Sequence, residues 1–213
     1  MKLVVIDYGL SNLLSVCRSF AFLGCEPVVS SSPEEVLTAD ALVLPGVGAF
    51  ADGMAGLQKL GLDDAVKKAV AAGTPLLGIC LGMQMLFDEG EEFGCHKGLG
   101  LIPGRVVKLA DRDTDGAPLR IPHVGWNGLY PVGSEQFTGI LAPLTPSDET
   151  YFVHSFAAET DASFHLADTF YGGHAVTAAV RCKNVFGTQF HPEKSGRIGL
   201  AILGEYLRLC ENS

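Results

Sequence analysis

The sequence predicts an α/β fold, with a central, mostly parallel mixed sheet flanked by helices and a nucleophile elbow at one end of it. Short unbroken apolar runs at Leu3 to Ile6, Ala41 to Leu44 and Pro75 to Ile79 have the pattern of strands buried on both faces. Each run leads through a turn into a segment of helical period, as βα units do. The third run delivers Cys80 between Gly78 and Gly82, where the missing Cβ atoms permit a strained turn and close packing of strand on helix. Apolar residues are 47% of the 213 and charged ones only 18%, and no low-complexity linker divides the chain. One domain spanning 1–213 is therefore expected, with a single sizeable core.

The elements follow in order. After Leu3 to Ile6, Asp7-Tyr8-Gly9 forms a tight turn and Ser11 is placed to cap a helix. Leu13, Leu14, Cys17, Phe20 and Ala21 recur there at helical spacing, Gly24 supplies the stop, and Asn12 and Arg18 fall on the polar side. A strand over Glu26 to Val29 precedes Ser32-Pro-Glu-Glu35, a capping-box pattern with proline at the first helical position. The Ala41 to Leu44 strand runs into Pro45-Gly-Val-Gly-Ala-Phe50, and helices are expected over Ala51 to Lys59 and Asp63 to Ala72, closed by Gly73. The elbow helix begins at Leu81 and packs Met83, Met85, Leu86 and Phe87. Glycines at 94, 98, 100 and 104 then mark turns before a strand over Arg105 to Leu109, and Ala110 to Ala117 is a surface loop. Shorter, partly antiparallel strands over Ile121 to Asn127, Glu149 to Phe156 and Thr177 to Arg181 are expected to extend the sheet near the site, with Trp126 in a Gly-Trp-Asn turn. An amphipathic helix over Ile198 to Leu209 ends the chain.

The chemistry concentrates in a few stretches. Cys80 at the exposed end of a sheet and at a helix N-terminus is in the setting that favours thiolate, the reactive form. Far downstream, Gly187-Thr-Gln-Phe-His-Pro-Glu-Lys-Ser195 offers a base. In an extended segment His191 and Glu193 project together, so the carboxylate orients the imidazole. Cys80, His191 and Glu193 then form a triad of nucleophile, proton acceptor and orienting group. Gly46 and Gly48 free the backbone of the 46 to 48 loop, Val47 included, to present an amide beside that of Leu81, as an oxyanion site requires. Gln84 falls one turn beyond Cys80 on the same helix face, towards a substrate. His123 and His154 read as hydrogen-bonded structural residues.

Bulk properties exclude other classes. A net charge of -9 argues against nucleic-acid binding. The six cysteines are scattered through a chain that needs no disulfides, and none has metal-ligand spacing. No metal or cofactor is expected. The N-terminal apolar run is too short for a signal peptide, and no stretch approaches the roughly 20 apolar residues of a membrane span, so a cytoplasmic protein is expected.

Gly78-Ile-Cys-Leu-Gly-Met-Gln84 together with Phe190-His-Pro-Glu-Lys-Ser195 closely resembles the class I, triad-type glutamine amidotransferases. Pro45-Gly-Val-Gly-Ala-Phe50, Pro122-His-Val-Gly-Trp-Asn127 and Tyr151-Phe-Val-His-Ser-Phe156 are similar to the glutaminase subunits of imidazole glycerol phosphate synthases, and the likeness runs nearly end to end. It implies the class I amidotransferase fold and hydrolysis of L-glutamine to glutamate and ammonia. The ammonia would pass to a cyclase partner, a (βα)8 barrel, that makes imidazole glycerol phosphate and an aminoimidazole carboxamide ribotide in histidine biosynthesis. It further implies that Gln84 and the backbone of His154, Ser155 and Phe156 hold the substrate. Gly46, Val47 and Gly48 become the oxyanion strand, and Asn12, Arg18, Trp126 and Lys194 lie at the cyclase interface. Val124 and Phe156 depart from the methionine and tyrosine common at those positions. Since Val47 carries a Cβ, the N–H of the peptide between Val47 and Gly48 is expected to rest turned away until the partner is loaded. Rival readings are an amidotransferase serving aminobenzoate or pyridoxal phosphate synthesis, a stand-alone cysteine hydrolase or peptidase, and a non-catalytic subunit. The Pro-Gly-Val-Gly and His-Val-Gly-Trp-Asn stretches speak against the first, and the intact triad against the last.

Overall fold

A computed structural model describes residues 1–10 and 12–212, so the cap expected from Ser11 lies outside the described residues. Its strands and helices in order are β1 (Leu3–Ile6), α1 (Leu13–Phe22), β2 (Val28–Ser30), α2 (Pro33–Leu37), β3 (Ala41–Gly46), α3 (Phe50–Lys59), α4 (Leu62–Ala71), β4 (Leu76–Cys80) and α5 (Leu81–Gln84). There follow β5 (Glu89–Gly90), β6 (His96–Lys97), β7 (Arg105–Lys108), β8 (His123–Gly128), β9 (Tyr130–Pro131), β10 (Glu149–His154), β11 (Phe156–Glu159), β12 (His165–Tyr171), β13 (His174–Cys182), β14 (Val185–Thr188) and α6 (Gly196–Glu211).

The main sheet has eight strands in the order β2-β1-β3-β4-β14-β13-β12-β9. β2, β1, β3, β4 and β14 run parallel, and β13, β12 and β9 continue the sheet antiparallel. The unbroken apolar runs are explained by burial on both faces. Leu3 and Val5, Ala41 and Val43, and Leu77 and Ile79 point into one core, with Val16 and Phe20 of α1 and Ile202, Leu203 and Tyr206 of α6. Their neighbours Val4, Ile6, Leu42, Leu44 and Leu76 enter the opposite core with α3 and α4. Strand period therefore sorts one continuous run onto two layers.

Two expectations about strands are corrected. β8 and β10 do not extend the main sheet but pair with each other as a separate antiparallel ribbon, and β11, β7, β5 and β6 form a further small sheet. Trp126 is not in a turn; it stands within β8, opposite Tyr151 of β10. The elbow helix is also much shorter than its apolar pattern implies. It ends at Gln84, because the carbonyls of Met85, Leu86 and Phe87 accept from the amides of Leu99, Leu101 and Gly100 instead of from a further helical turn. Met83, Met85, Leu86 and Phe87 are all buried, so no solvent-facing stripe supports a longer helix. Among the described residues no helix is long and apolar enough to cross a membrane.

Candidate active site

The parallel strands gather the site at their carboxyl ends, where ligands sit in open α/β sheets. Gly46 of β3 lies in register with Cys80 of β4, and Thr188 of β14 with Ile79, so the 46 to 48 loop, the thiol and the segment after β14 emerge side by side. Cys80 has φ 54 and ψ -108, a strained conformation for a residue with a Cβ. Glycines on either side make the turn possible. A Cβ on Gly82 would overlap the Leu44 carbonyl oxygen, and one on Gly78 would come within 2.8 Å of the Gly82 carbonyl. α5 is a single turn, so the dipole expected behind the thiol comes down to its first amides, at Leu81 and Gly82, which have no intrahelical acceptor.

His191 is placed by a small hydrogen-bond circuit. Its backbone N–H donates to Tyr151 O at 2.9 Å, the Tyr151 N–H donates to Ser195 Oγ at 3.0 Å, and the Ser195 hydroxyl returns to His191 O at 2.7 Å. The circuit ties the turn after β14 to β10. His191 and Glu193 do not meet by strand alternation as expected: Pro192–Lys194 is one 3-10 turn that curls the carboxylate back onto the ring. His191 Nδ1 lies 2.8 Å from Glu193 Oε1, and both side chains are 2% exposed. His191 Nε2 is buried with no partner in hydrogen-bond geometry, yet Cys80 is near enough to act on it. Burial works against the imidazolium, but the Cys80 and Glu193 side chains more than offset it and raise His191 to about 9.

These groups open onto a cleft of about 330 Å³. Val47, Gly48, Cys80, Leu81, Gln84, His154, Ser155, Phe156 and His191 all line it, as does Lys194, which was expected at an interface. Gly46 is buried and is absent from the lining, as is Glu193. His154 offers no free ring nitrogen: Nδ1 is 2.8 Å from Phe156 O and Nε2 is 3.1 Å from His123 Nδ1. Burial pushes His154 down to about 4, so its ring is a neutral brace. The Val47 N–H donates to Leu10 O at 3.1 Å and so points away from the thiol. The bonded amide is Val47's own, one peptide before the Val47–Gly48 peptide considered in the sequence, and the loop after β1 supplies its acceptor.

Asn12, Arg18 and Trp126 lie outside the cleft, on the surface. Arg18 stands between Leu14 and Phe22, exposed by 61% and 77%, on one stripe of α1, and Trp126 is 52% exposed with its ring edge against Tyr151. Lys194 lies over the other ring neighbour, 6.0 Å from the Tyr151 centroid.

Sequence reasoning missed Glu92, Gln189 and Tyr8. Glu92 lines the cleft, and its Oε2 accepts the Phe50 N–H at 2.8 Å, at the start of α3. It lies in an aperiodic stretch among other acids, so no local signal singles it out. Gln189 is fully buried beside Cys80, and the Tyr8 hydroxyl is buried without a partner among the described residues. Gln189 likewise has no local signal, since its contacts are with residues distant along the chain.

Residues 4–203 match the family described as Glutamine amidotransferase class-I. The chain is 46% identical to Imidazole glycerol phosphate synthase subunit HisH 1 of Legionella pneumophila (strain Lens), over 96% of this chain and 98% of that one. It is 47% identical to the subunit HisH of Geobacillus thermodenitrificans (strain NG80-2), over 95% and 93%. Among solved structures, one described as a glutamine amidotransferase superposes with a TM-score of 0.73 at 20% identity, covering 98% of each chain. The glutaminase domain of Trypanosoma brucei CTPS with bound acivicin gives 0.63 at 17% identity, covering 98% of this chain and 94% of that one. At these identities the structural likeness concerns the fold.

Proposed function

The chain belongs to the class-I glutamine amidotransferase family, among the HisH subunits of imidazole glycerol phosphate synthase, and from that premise we infer that it hydrolyses L-glutamine and supplies the ammonia to a cyclase subunit in histidine biosynthesis. The single observation that carries the mechanism is the convergence of a strained Cys80, a buried His191–Glu193 pair and the Leu81 amide on one cleft.

Cys80 Sγ attacks the side-chain amide carbon of glutamine. The oxyanion forms against the Leu81 N–H at the start of α5, the amide that follows the nucleophile. His191, held by Glu193, protonates the departing ammonia and leaves a thioester on Cys80. The same imidazole then takes a proton from water, which attacks the thioester and releases glutamate. Gln84 and the backbone of His154 to Phe156 hold the substrate, and Glu92 is the carboxylate available for its α-ammonium. Gln84 Nε2 donates to Phe156 O at 3.0 Å, which turns its Oε1 away from that carbonyl.

The second oxyanion donor is withheld in this state, since the Val47 N–H is bonded to Leu10 O. One missing donor typically costs about a hundredfold to a thousandfold in rate. The isolated chain is therefore a weak glutaminase, and docking of the cyclase on the face that carries Asn12, Arg18, Trp126 and Lys194 frees that amide. Leu10 lies two residues before Asn12 in sequence, so a partner that contacts Asn12 comes close to the latch. The partner is taken to be a (βα)8 barrel, and the synthase to work in the cytoplasm without nucleic acid or membrane, as the net charge of -9 suits.

The test is glutamate release from L-glutamine by the chain alone and with the cyclase and its nucleotide ligand, with Cys80→Ser as control. Stimulation of about a hundredfold or more, abolished in the control, is the expected outcome. Equal rates with and without the loaded cyclase would refute the latch, and no release in either case would refute the glutaminase reading.

A further inference from the structure

Outside the triad, the fully buried side chain of Gln189 touches the nucleophile: its Nε2 lies 3.7 Å from Cys80 Sγ. Which end of that amide faces the sulfur follows from its neighbours. Phe156 O is a backbone carbonyl and can only accept, so the Gln84 atom 3.0 Å from it must be Nε2. The same Nε2 lies 3.0 Å from the Gln189 side chain, which must meet it with Oε1. Gln189 is then left with its N–H atoms towards Cys80. The polarity of a three-link chain is thus dictated by one carbonyl at its far end.

Cys80 has need of such a donor. Besides the imidazole of His191, the acceptor that the thiol meets among the described residues is Val153 O, at 4.0 Å. Once the proton has left, that carbonyl presents a negative end to a negative sulfur, and the favourable contacts come from donors. His191 is one. We propose that Gln189 is the other, a catalytic residue of the glutaminase reaction that stabilises the Cys80 thiolate through a side-chain N–H oriented by Gln84 and Phe156. The proposal rests on the glutaminase reading for its consequence, but the contact itself does not depend on it. A purely structural amide is a costly way to fill this position, because a buried polar group must be matched at every atom whereas a methionine would need no partners.

The same chain links the substrate pocket to the nucleophile. Gln84 lines the cleft, and whatever holds its amide in place also holds the Gln189 N–H on the sulfur. Other titratable groups face Cys80 or line its cleft from the elements around it. They are His191 with Glu193 behind it after β14, Tyr8 after β1, and His154, Glu92 and Lys194 around the cleft. None of them changes in the variants that follow, so a difference between variants reports on Gln189.

The test is alkylation of Cys80 by iodoacetamide from about pH 5 to about pH 9, followed on the Cys80 peptide by mass spectrometry, in the wild type, Gln189→Met and Gln189→Glu. Loss of a hydrogen bond to a charged atom should move the alkylation profile of Gln189→Met up by about one pH unit. Gln189→Glu keeps the shape, sets a carboxylate against the thiolate and should move it further. kcat/KM for glutamine with the loaded cyclase should fall about tenfold or more in both. Profiles that coincide with the wild type in folded variants would overturn the proposal, since a structural role lowers stability without moving the thiol. A second measurement needs no variant of Gln189. In the wild type its side-chain amide resonance should follow the titration of Cys80, and it should stay fixed in Cys80→Ser. A resonance indifferent to Cys80 would equally overturn the proposal. If the wild type hydrolyses glutamine and the profiles do not move, Gln189 alone is misassigned. If they move and no glutamine is hydrolysed, the contact stands and the glutaminase reading falls.

Discussion

Replacing Glu193 by glutamine should flatten the dependence of folding stability on pH, and its size can be worked from the His191 pair. His191 is raised from 6.5 to about 9 in the folded chain. A group whose folded pKa lies above its unfolded one contributes stability that is fully present below the unfolded value and is lost as pH rises through the folded one. The window is therefore from about pH 6.5 to about pH 9. At 1.36 kcal/mol per unit the whole shift corresponds to about 3 kcal/mol. Cys80 and Glu193 both raise His191, each through a hydrogen bond and its charge, so Glu193's share is between about 1 and 2 kcal/mol. Both side chains are 2% exposed, so solvent screening does not reduce this. Glutamine at 193 can still accept the Nδ1–H through its oxygen, which keeps the ring in place and removes only the charge. Urea unfolding at about pH 6 and about pH 9.5 would measure it. The wild type should exceed Glu193→Gln at the lower pH by about 1 to 2 kcal/mol more than at the higher one. At high pH the order can reverse, because Glu193 Oε2 is then a buried acceptor without a partner beside a neutral ring. Parallel stability curves for the two proteins would refute the reasoning, for they would mean that the imidazolium is not held by Glu193.

Three other outcomes follow from single contacts. Gly82→Ala sets a Cβ into the Leu44 carbonyl oxygen, a backbone atom that cannot move without shifting β3, and should cost about 3 kcal/mol or more by urea unfolding. Tyr206 and Tyr8 are both buried tyrosines, but the Tyr206 hydroxyl has Leu42 O at 2.7 Å and Pro75 O at 3.1 Å within reach while that of Tyr8 has no partner among the described residues. Tyr206→Phe should therefore lose about 1 to 2 kcal/mol, and Tyr8→Phe should be neutral or stabilising; equal losses would count against the distinction. Glu92→Gln, which removes the cleft's candidate partner for an α-ammonium, should raise KM for glutamine about tenfold to a hundredfold and change kcat less, as read from steady-state kinetics.

What the sequence made legible was local. The elbow, the glycine-flanked 46 to 48 loop and the His-Pro-Glu motif are each specified within a few residues, because a strained turn or a close backbone approach demands glycine or proline at fixed positions, although the fold of the last, a turn and not a strand, was not legible. The parallel strands were legible because burial on both faces leaves an unbroken apolar run. β12 and β14 were missed for the opposite reason. β12, His165–Tyr171, mixes His165 and Asp168 into its apolar positions and slips register twice against β13, while β14 is four residues including Gly187. Trp126 read as a turn because Gly125 and Gly128 dilute the period of β8, and only its pairing with β10 makes it a strand. Glu92 and Gln189 were illegible as site residues because nothing near them in sequence marks them: their roles come from Phe50, Gln84 and Cys80, all distant along the chain.

The three parts of the proposed reaction reach the cleft with unequal freedom, and that inequality bears on control. Cys80 is pinned by glycine contacts on both sides of the elbow, and His191 by the circuit through Tyr151 and Ser195. Neither can shift without breaking several hydrogen bonds or overlapping backbone atoms. The 46 to 48 loop differs: Val47 and Gly48 are exposed, and a single bond, Val47 N–H to Leu10 O, is what the structure shows holding the Val47 amide turned away. A bond of that kind is worth about 1 kcal/mol net, whereas the oxyanion donor it withholds is worth about 3 to 4 kcal/mol in the transition state. A partner that contacts Leu10 needs to supply only the smaller amount to gain the larger. On the proposed mechanism, control of the rate rests on the more weakly held component of the site, and the costly, rigid components need not move.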